Sequence, residues 1–324
     1  PLRRQRQMCI RDSYLSDQIR NNIPKRNIEE GRESVRMFVE MLKKRKINVI
    51  DEAILNRAYE EEDYVDEKML GLVLKALKID EPVQYIPRYI RNMNAFHANG
   101  TKVVVVDELL EYTLISFLFT MYSLENNRSE ENVTRCMKNF YVLEDLQNGK
   151  REIGTHNETQ LYEMSLLPEN LMHTAMDNYW TIWTFLIGHE LYHAIHPEDR
   201  NGKDTELRAD QYAYRLLINL IMQQKKNEVP EELQVFWEDQ YLSPIILFEM
   251  FRLFDVYSEL KGKKIVYQDY PTPKERQDNI FSMFKDDIPE EMNTEEGNKV
   301  LNLILNSSEY AEDWLRYKIS KGKL

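Results

Sequence analysis

The sequence HELYH, at residues 189–193, places two histidines one helical turn apart and a glutamate directly after the first. On a helix that turns by about 100° per residue, His189 and His193 fall about 40° apart on one face, so both imidazoles can reach one metal ion. Glu190 lies to the side of that face. In this arrangement an HExxH helix binds zinc through two nitrogens and holds a carboxylate against the zinc-bound water. Zinc lowers the pKa of that water to about 7, and the glutamate takes its proton as the water attacks a carbonyl group.

Three fixed letters in five arise by chance in many proteins, so the surrounding residues decide what this motif means. The motif lies late in an apolar segment that includes Trp180, Trp183 and Phe185. Two histidines and a glutamate would be costly to bury there without a partner such as a metal ion. The surroundings therefore favour a zinc site over the polar stripe of an amphipathic helix.

Two further acids follow in ELRAD, at residues 206–210. On a helix, Glu206 and Asp210 share one face beside the small residue Ala209, which would let this helix approach the histidine helix closely. Glu206 would then supply a third ligand and leave the fourth position to water, as a catalytic zinc requires. Asp210 would accept a hydrogen bond from a ligand histidine and fix its tautomer. The alternative, a solvated acidic face near a helix N-terminus, stays open.

The other histidines lack such spacing. His196 follows His193 by three residues, and we expect it to line the cleft or to end the helix. In the metzincin pattern the third histidine follows the second by six residues, a position that Asp199 occupies here. Structural roles are expected for the remaining ones: His97, His156 and His173.

The two site segments are predicted to be helices. Apolar spacing predicts one from Leu171 to His196 and one from about Thr205 to Met222, joined by the turn PEDRNGKD. The β-branched run KVVVV predicts a strand leading into a helix from about Glu108 to Leu124, and Val83 to Ile90, interrupted by a proline, predicts an irregular edge strand. Further helices are expected at Ser34–Lys46, Glu67–Ile79, Ser243–Leu260, Pro273–Phe284 and Asn298–Ile319.

Composition limits the possible partners. The 324 residues are 42% hydrophobic and carry a net charge of −12, which predicts a folded, acidic protein and argues against nucleic acid as a partner. The longest apolar runs, Tyr112–Leu124 and Trp180–Gly188, fall short of the roughly 20 residues that cross a bilayer. Cys9 lies in the N-terminal segment RRQRQMCIRDS, and without it Cys136 has no partner for an intrachain disulfide. This favours a reducing compartment, the cytoplasm.

The first residues need separate treatment. RRQRQMCIRDS, from Arg3 to Ser13, resembles the conceptual translation of a sequencing-library adapter, and we expect residues 1–13 to be such a scar. The true N-terminus would then be missing. We expect a helical region at 14–80, the main domain at 81–285 and a helical extension at 286–324.

Three blocks of sequence resemble the gluzincin zinc peptidases related to the CaaX prenyl protease and HtpX, and their soluble relatives of the Lit or ImmA/IrrE type. The blocks are NAFHANGTKVVVVDELL at 94–110, the pair HELYH and ELRAD, and YPTPKERQDNI at 270–280. The link between the second histidine and Glu206 is short, as in the ImmA/IrrE type, whereas Tyr270 stands where the group usually has histidine.

The resemblance implies an α+β, mostly α, zincin-like fold with helical extensions, in which the edge strand of a small sheet flanks the active-site helix. KVVVV would be that edge strand, where Val103, Val104 and Val105 would bind an extended peptide substrate. Arg276 would be a packing residue or support the ligands from behind. The candidates for an oxyanion-stabilising residue are three tyrosines: Tyr212, Tyr241 and Tyr270.

These residues predict a zinc endopeptidase without a membrane span, with Zn²⁺ as cofactor and a protein or peptide as substrate. Its metal ligands would be His189, His193 and Glu206, with Glu190 as general base. Two alternatives stay open. One is a non-catalytic binding or regulatory protein with a zincin-like fold, and the other is a metal-dependent hydrolase acting on something other than peptides.

Overall fold

The structure is a computed structural model. It describes residues 68–80, 83–88, 95–97, 103–148, 167–199, 202–287 and 295–322. The expectations for residues 1–13 and Ser34–Lys46 lie outside these ranges. The helices after a helical segment at 68–76 are α1 (Glu108–Asn126), α2 (Glu130–Gln147), α3 (Glu169–Ile195), α4 (Lys203–Lys225), α5 (Ser243–Leu260), α6 (Pro273–Asp287) and α7 (Glu295–Ser320). The strands are β1 (Gln84–Arg88), β2 (Ala95–His97) and β3 (Val103–Asp107). The described part of the chain is therefore mostly helical with one small sheet.

The sheet has the order β1-β3-β2, with β1 parallel and β2 antiparallel to β3. The expectation that KVVVV forms an edge strand is wrong, because this run is the central strand and all five residues of β3 are buried. A continuous β-branched run is typical of a strand buried on both faces, whereas an edge strand usually alternates. The edge strand that packs on α3 is β2, from the NAFH segment.

Helix α3 runs through the middle of the core and packs on α1, α4, α5 and β2. Its residues Ile182, Phe185 and Leu191 are fully buried, as the apolar run before the histidines predicts. Close packing against α4 depends on Gly188, because a β-carbon there would lie 2.8 Å from the Leu216 side chain and 3.3 Å from the Ala213 Cα. HELYH therefore lies on a helix that packs closely against α4, because Gly188 and Ala213 are small.

Helix α7 lies in the segment that was predicted to be a helical extension. It packs on α1 and α5, and its buried residues Leu301, Ile304 and Leu315 belong to the main hydrophobic core. The charged helix α2 was not predicted. None of the described helices contains a stretch that is both long and apolar enough to cross a membrane.

Candidate metal centre

Three predicted ligands meet between α3 and α4. His189, His193 and Glu206 each offer one ligand atom, and these atoms all lie within 4.8 Å of one another. The two Nε2 atoms of the histidines are 3.2 Å apart. The Glu206 carboxylate oxygens lie 3.3 Å from Nε2 of His189 and 3.6 Å from Nε2 of His193.

These separations can be compared with the edges of a tetrahedral zinc site. Donor atoms about 2.0–2.2 Å from a tetrahedral zinc ion are about 3.3–3.6 Å from one another. The donor types also agree, since two imidazoles and a carboxylate leave one corner for water or substrate. The residues therefore fit a zinc ion in donor chemistry, and the separation of the two Nε2 atoms is close to one tetrahedral edge.

Behind the ligands, Asp210 holds the ring of His189. Oδ1 of the fully buried Asp210 lies 2.9 Å from Nδ1 of His189, so Nε2 is the nitrogen left for the ligand group. Arg276 donates to both Asp210 oxygens, at 2.8 and 2.5 Å, and its guanidinium lies 4.4 Å from the centre of the Phe248 ring. Asp210, predicted to fix the tautomer of a ligand histidine, thus contacts His189, and Arg276 contacts Asp210 in turn.

Glu190 is buried beside the ligand group, at 7% exposure. The backbone of His97, on the edge strand β2, donates a hydrogen bond to its carboxylate. The His97 ring lies nearly parallel to the ring of His193, with the ring centres 6.1 Å apart. Strand β2 therefore borders the site on the side of the carboxylate.

No family model, no curated protein and no solved structure matches the chain.

Burial and neighbouring charges shift the pKa of three side chains at the site. Burial disfavours charge on His189, but hydrogen bonds to Asp210 and Glu206 outweigh it and raise the pKa of His189 to about 10. Burial, and then the charge of His189, lowers the pKa of His193 to about 4. Burial raises the pKa of Glu190 to about 8, against the attraction of His189. A carboxylate with a raised proton affinity beside a cation site suits a general base.

Other predicted site residues lie elsewhere. Val103, Val104 and Val105 are buried, and the strand they belong to is paired on both sides, so their expected contact with an extended peptide is wrong. Tyr241 is buried against Phe284, and Tyr270 is exposed.

The aromatic neighbours of the site also include Tyr212. Its ring centre lies 5.5 Å from that of Tyr192 and 6.4 Å from that of His196, beyond the last turn of α3. His196 itself is partly exposed and contacts Glu198 at 3.3 Å, so it ends the helix as expected.

Sequence reasoning missed His97, which had been assigned a structural role. It has no metal-type spacing to another histidine, and its approach to His193 depends on how β2 packs on α3. The available signal was its position in NAFH, a few residues before the β-branched run that forms β3.

Proposed function

We propose that this protein is a zinc-dependent endopeptidase of zincin-like fold that hydrolyses peptide bonds, with Glu190 as general base. The observation that carries the proposal is the meeting of His189, His193 and Glu206, whose ligand atoms lie within 4.8 Å of one another, with a buried carboxylate next to them. A structural zinc site would be closed by four protein ligands. Among the described residues the group has three, which favours a site that does chemistry.

Zinc bound by these residues would supply a Lewis acid that polarises the scissile carbonyl and acidifies the attacking water. Glu190 accepts the proton of that water and returns it to the leaving amine. The backbone hydrogen bond from His97 holds the Glu190 carboxylate in place during both transfers. Asp210 and Arg276 hold the ring of His189 from behind.

The geometry of β2 supports a peptide as the substrate. This strand pairs with β3 on one side, and within the described residues no strand pairs with its other side. An extended peptide can add to such an edge through main-chain hydrogen bonds. Because the backbone of His97 contacts Glu190, a peptide lying along this edge would pass the general base.

The test compares the 324-residue protein with its Glu190→Gln variant, in zinc content and in cleavage of unfolded casein. We expect Glu190→Gln to bind one zinc per chain, as the wild type does, and to lose about 10²- to 10⁴-fold in cleavage rate, because an amide cannot accept the proton. Glu198→Gln is the matched control, since Glu198 is an exposed glutamate just beyond the same helix. It should cleave like the wild type.

Two results would contradict the proposal. Equal cleavage by the wild type and Glu190→Gln would remove Glu190 from the mechanism. A wild-type protein that binds one zinc and cleaves no peptide would point instead to a binding or regulatory protein.

A further inference from the structure

Asp199, in the link between the two site helices, receives hydrogen bonds from both of them. From α3, the Tyr192 hydroxyl donates to Oδ2 of Asp199 at 2.5 Å. From α4, the Thr205 hydroxyl donates to Oδ1 at 3.0 Å, and Arg208 donates to Oδ2 at 2.8 Å and to Oδ1 at 2.5 Å. One carboxylate therefore receives four hydrogen bonds from residues on two helices.

The donors of these hydrogen bonds are chain neighbours of metal-ligand candidates. Tyr192 directly precedes His193, and Thr205 directly precedes Glu206. Arg208 follows Glu206 within the same turn of α4. A shift of Asp199 would therefore change the distance between the last turn of α3 and the first turn of α4, where two of the three candidates lie.

The first turn of α4 has no side-chain cap. Its N-cap is Gly202, which contributes no side-chain hydrogen bond to the helix. Unfixed helix ends fray, because the first N–H groups have no partner within the helix. Lys203 pairs with Glu275 of α6, but both side chains are more than one-third exposed, and exposed pairs of this kind are worth little.

Asp199 is suited to hold this turn. Its side chain is 15% exposed, and hydrogen bonds from Arg208 and Tyr192 hold its pKa well below the usual range, so the carboxylate stays charged. Charge-assisted hydrogen bonds are about twice as strong as neutral ones, and the fork of Arg208 fixes the geometry as well.

We propose that Asp199 is a positioning residue that holds Glu206 in the ligand group by joining the start of α4 to the end of α3. This inference rests on the proposed function, because it requires that His189, His193 and Glu206 bind zinc. A purely structural role is the competing explanation. It would lower the stability of the whole protein without acting through Glu206.

The experiment measures the zinc dissociation constant by competition with a chromophoric chelator. The variants are Asp199→Asn, Glu206→Gln and the double variant, all in the full chain. Asp199→Asn should raise the constant by about 10- to 100-fold, the usual effect of removing a group that orients a ligand. In the Glu206→Gln background the same change should add almost nothing, because the ligand that Asp199 holds is already lost.

Glu275→Gln is the matched control, since it removes a carboxylate that contacts the same first turn through Lys203. Its zinc affinity should equal that of the wild type. If Asp199→Asn does not fold, Tyr192→Phe removes one of the four hydrogen bonds and should weaken zinc binding by about 2- to 10-fold.

A wild-type dissociation constant for Asp199→Asn would overturn the inference, and so would a full additional loss in the Glu206→Gln background. A protein that binds zinc but cleaves no peptide overturns the endopeptidase and leaves the role of Asp199 to be decided by the binding data. A protein that cleaves peptides while Asp199→Asn binds zinc normally overturns the role of Asp199 alone. A wild type that binds no zinc overturns both.

Discussion

At the scale of single residues, the site depends on a buried ion pair outside the ligand group. Asp210 is fully buried, and Arg276 donates to both of its oxygens. Burial alone would raise the pKa of Asp210, but the charges and hydrogen bonds of Arg276 and His189 together outweigh it and lower the pKa. Asp210 therefore stays ionised and can hold the ring of His189.

Removal of one partner of this pair should lower the free energy of unfolding more than removal of both partners. Asp210→Ala leaves the Arg276 charge buried without its partner, and we expect the metal-free protein to lose about 3–5 kcal/mol of unfolding free energy. Asp210→Ala combined with Arg276→Met should lose clearly less, because no unpaired charge remains. Urea denaturation of the wild type, Asp210→Ala, Arg276→Met and the double variant measures this difference. A double variant as unstable as the sum of the single variants would contradict it.

At the scale of elements, the ligand group requires α3 and α4 to lie close together. The absent side chain of Gly188 permits this approach, since a β-carbon there would lie within 3.3 Å of both Leu216 and Ala213. The leucine tip can move, whereas the Cα of Ala213 belongs to the backbone of α4. Any widening here separates Glu206 from the histidines.

Gly188→Ala should therefore destabilise the protein, although alanine favours helices. Helix propensity alone would add about 1 kcal/mol to the free energy of unfolding. Overpacking costs about 1–3 kcal/mol, so we expect a net loss of roughly 1 kcal/mol together with weaker zinc binding. Gly71→Ala is the matched control, because no atom lies within 4 Å of a β-carbon at that helical position, and it should be neutral or slightly stabilising. A Gly188→Ala protein more stable than the wild type would contradict the close approach.

The helices could be predicted from the sequence more readily than their contacts. Ser243–Leu260 was predicted at its observed bounds, because its apolar spacing is strong and proline marks its first turn. The ligand spacing of His189 and His193 follows from helix geometry alone. The position of His97 beside His193 could not be predicted in this way, because it depends on the packing of β2 on α3. The position of KVVVV in the sheet was predicted wrongly. Its β-branched residues indicate a buried strand, but whether that strand is central depends on the strand order, which the sequence pattern does not give.

At the scale of the whole molecule, the unpredicted helix α2 is joined to α5 through one carboxylate. Glu144 accepts hydrogen bonds from Tyr257 at 2.9 Å, from Lys261 at 2.5 Å and from Lys263 at 3.2 Å. Burial would raise the pKa of Glu144, but these hydrogen bonds outweigh it and lower the pKa to about 2. A charged helix that periodicity did not reveal is thus held by an ion pair between segments distant in sequence.

This carboxylate should make stability depend on pH in acid. A group with a lowered pKa in the folded state stabilises the protein above its unfolded pKa of about 4.5, and this contribution is lost as the pH falls toward 2. Because the lysines are partly exposed, we expect Glu144→Gln to lose on the order of 1–2 kcal/mol at pH 7. The difference in unfolding free energy between the wild type and Glu144→Gln should shrink as the pH falls from 5 to 2. Urea denaturation at each pH measures this difference. Glu125→Gln, which removes an exposed pair with Arg128, is the control and should show little difference at any pH. A Glu144→Gln deficit that stays constant down to pH 2 would show that this carboxylate stabilises the fold by packing and not by its charge.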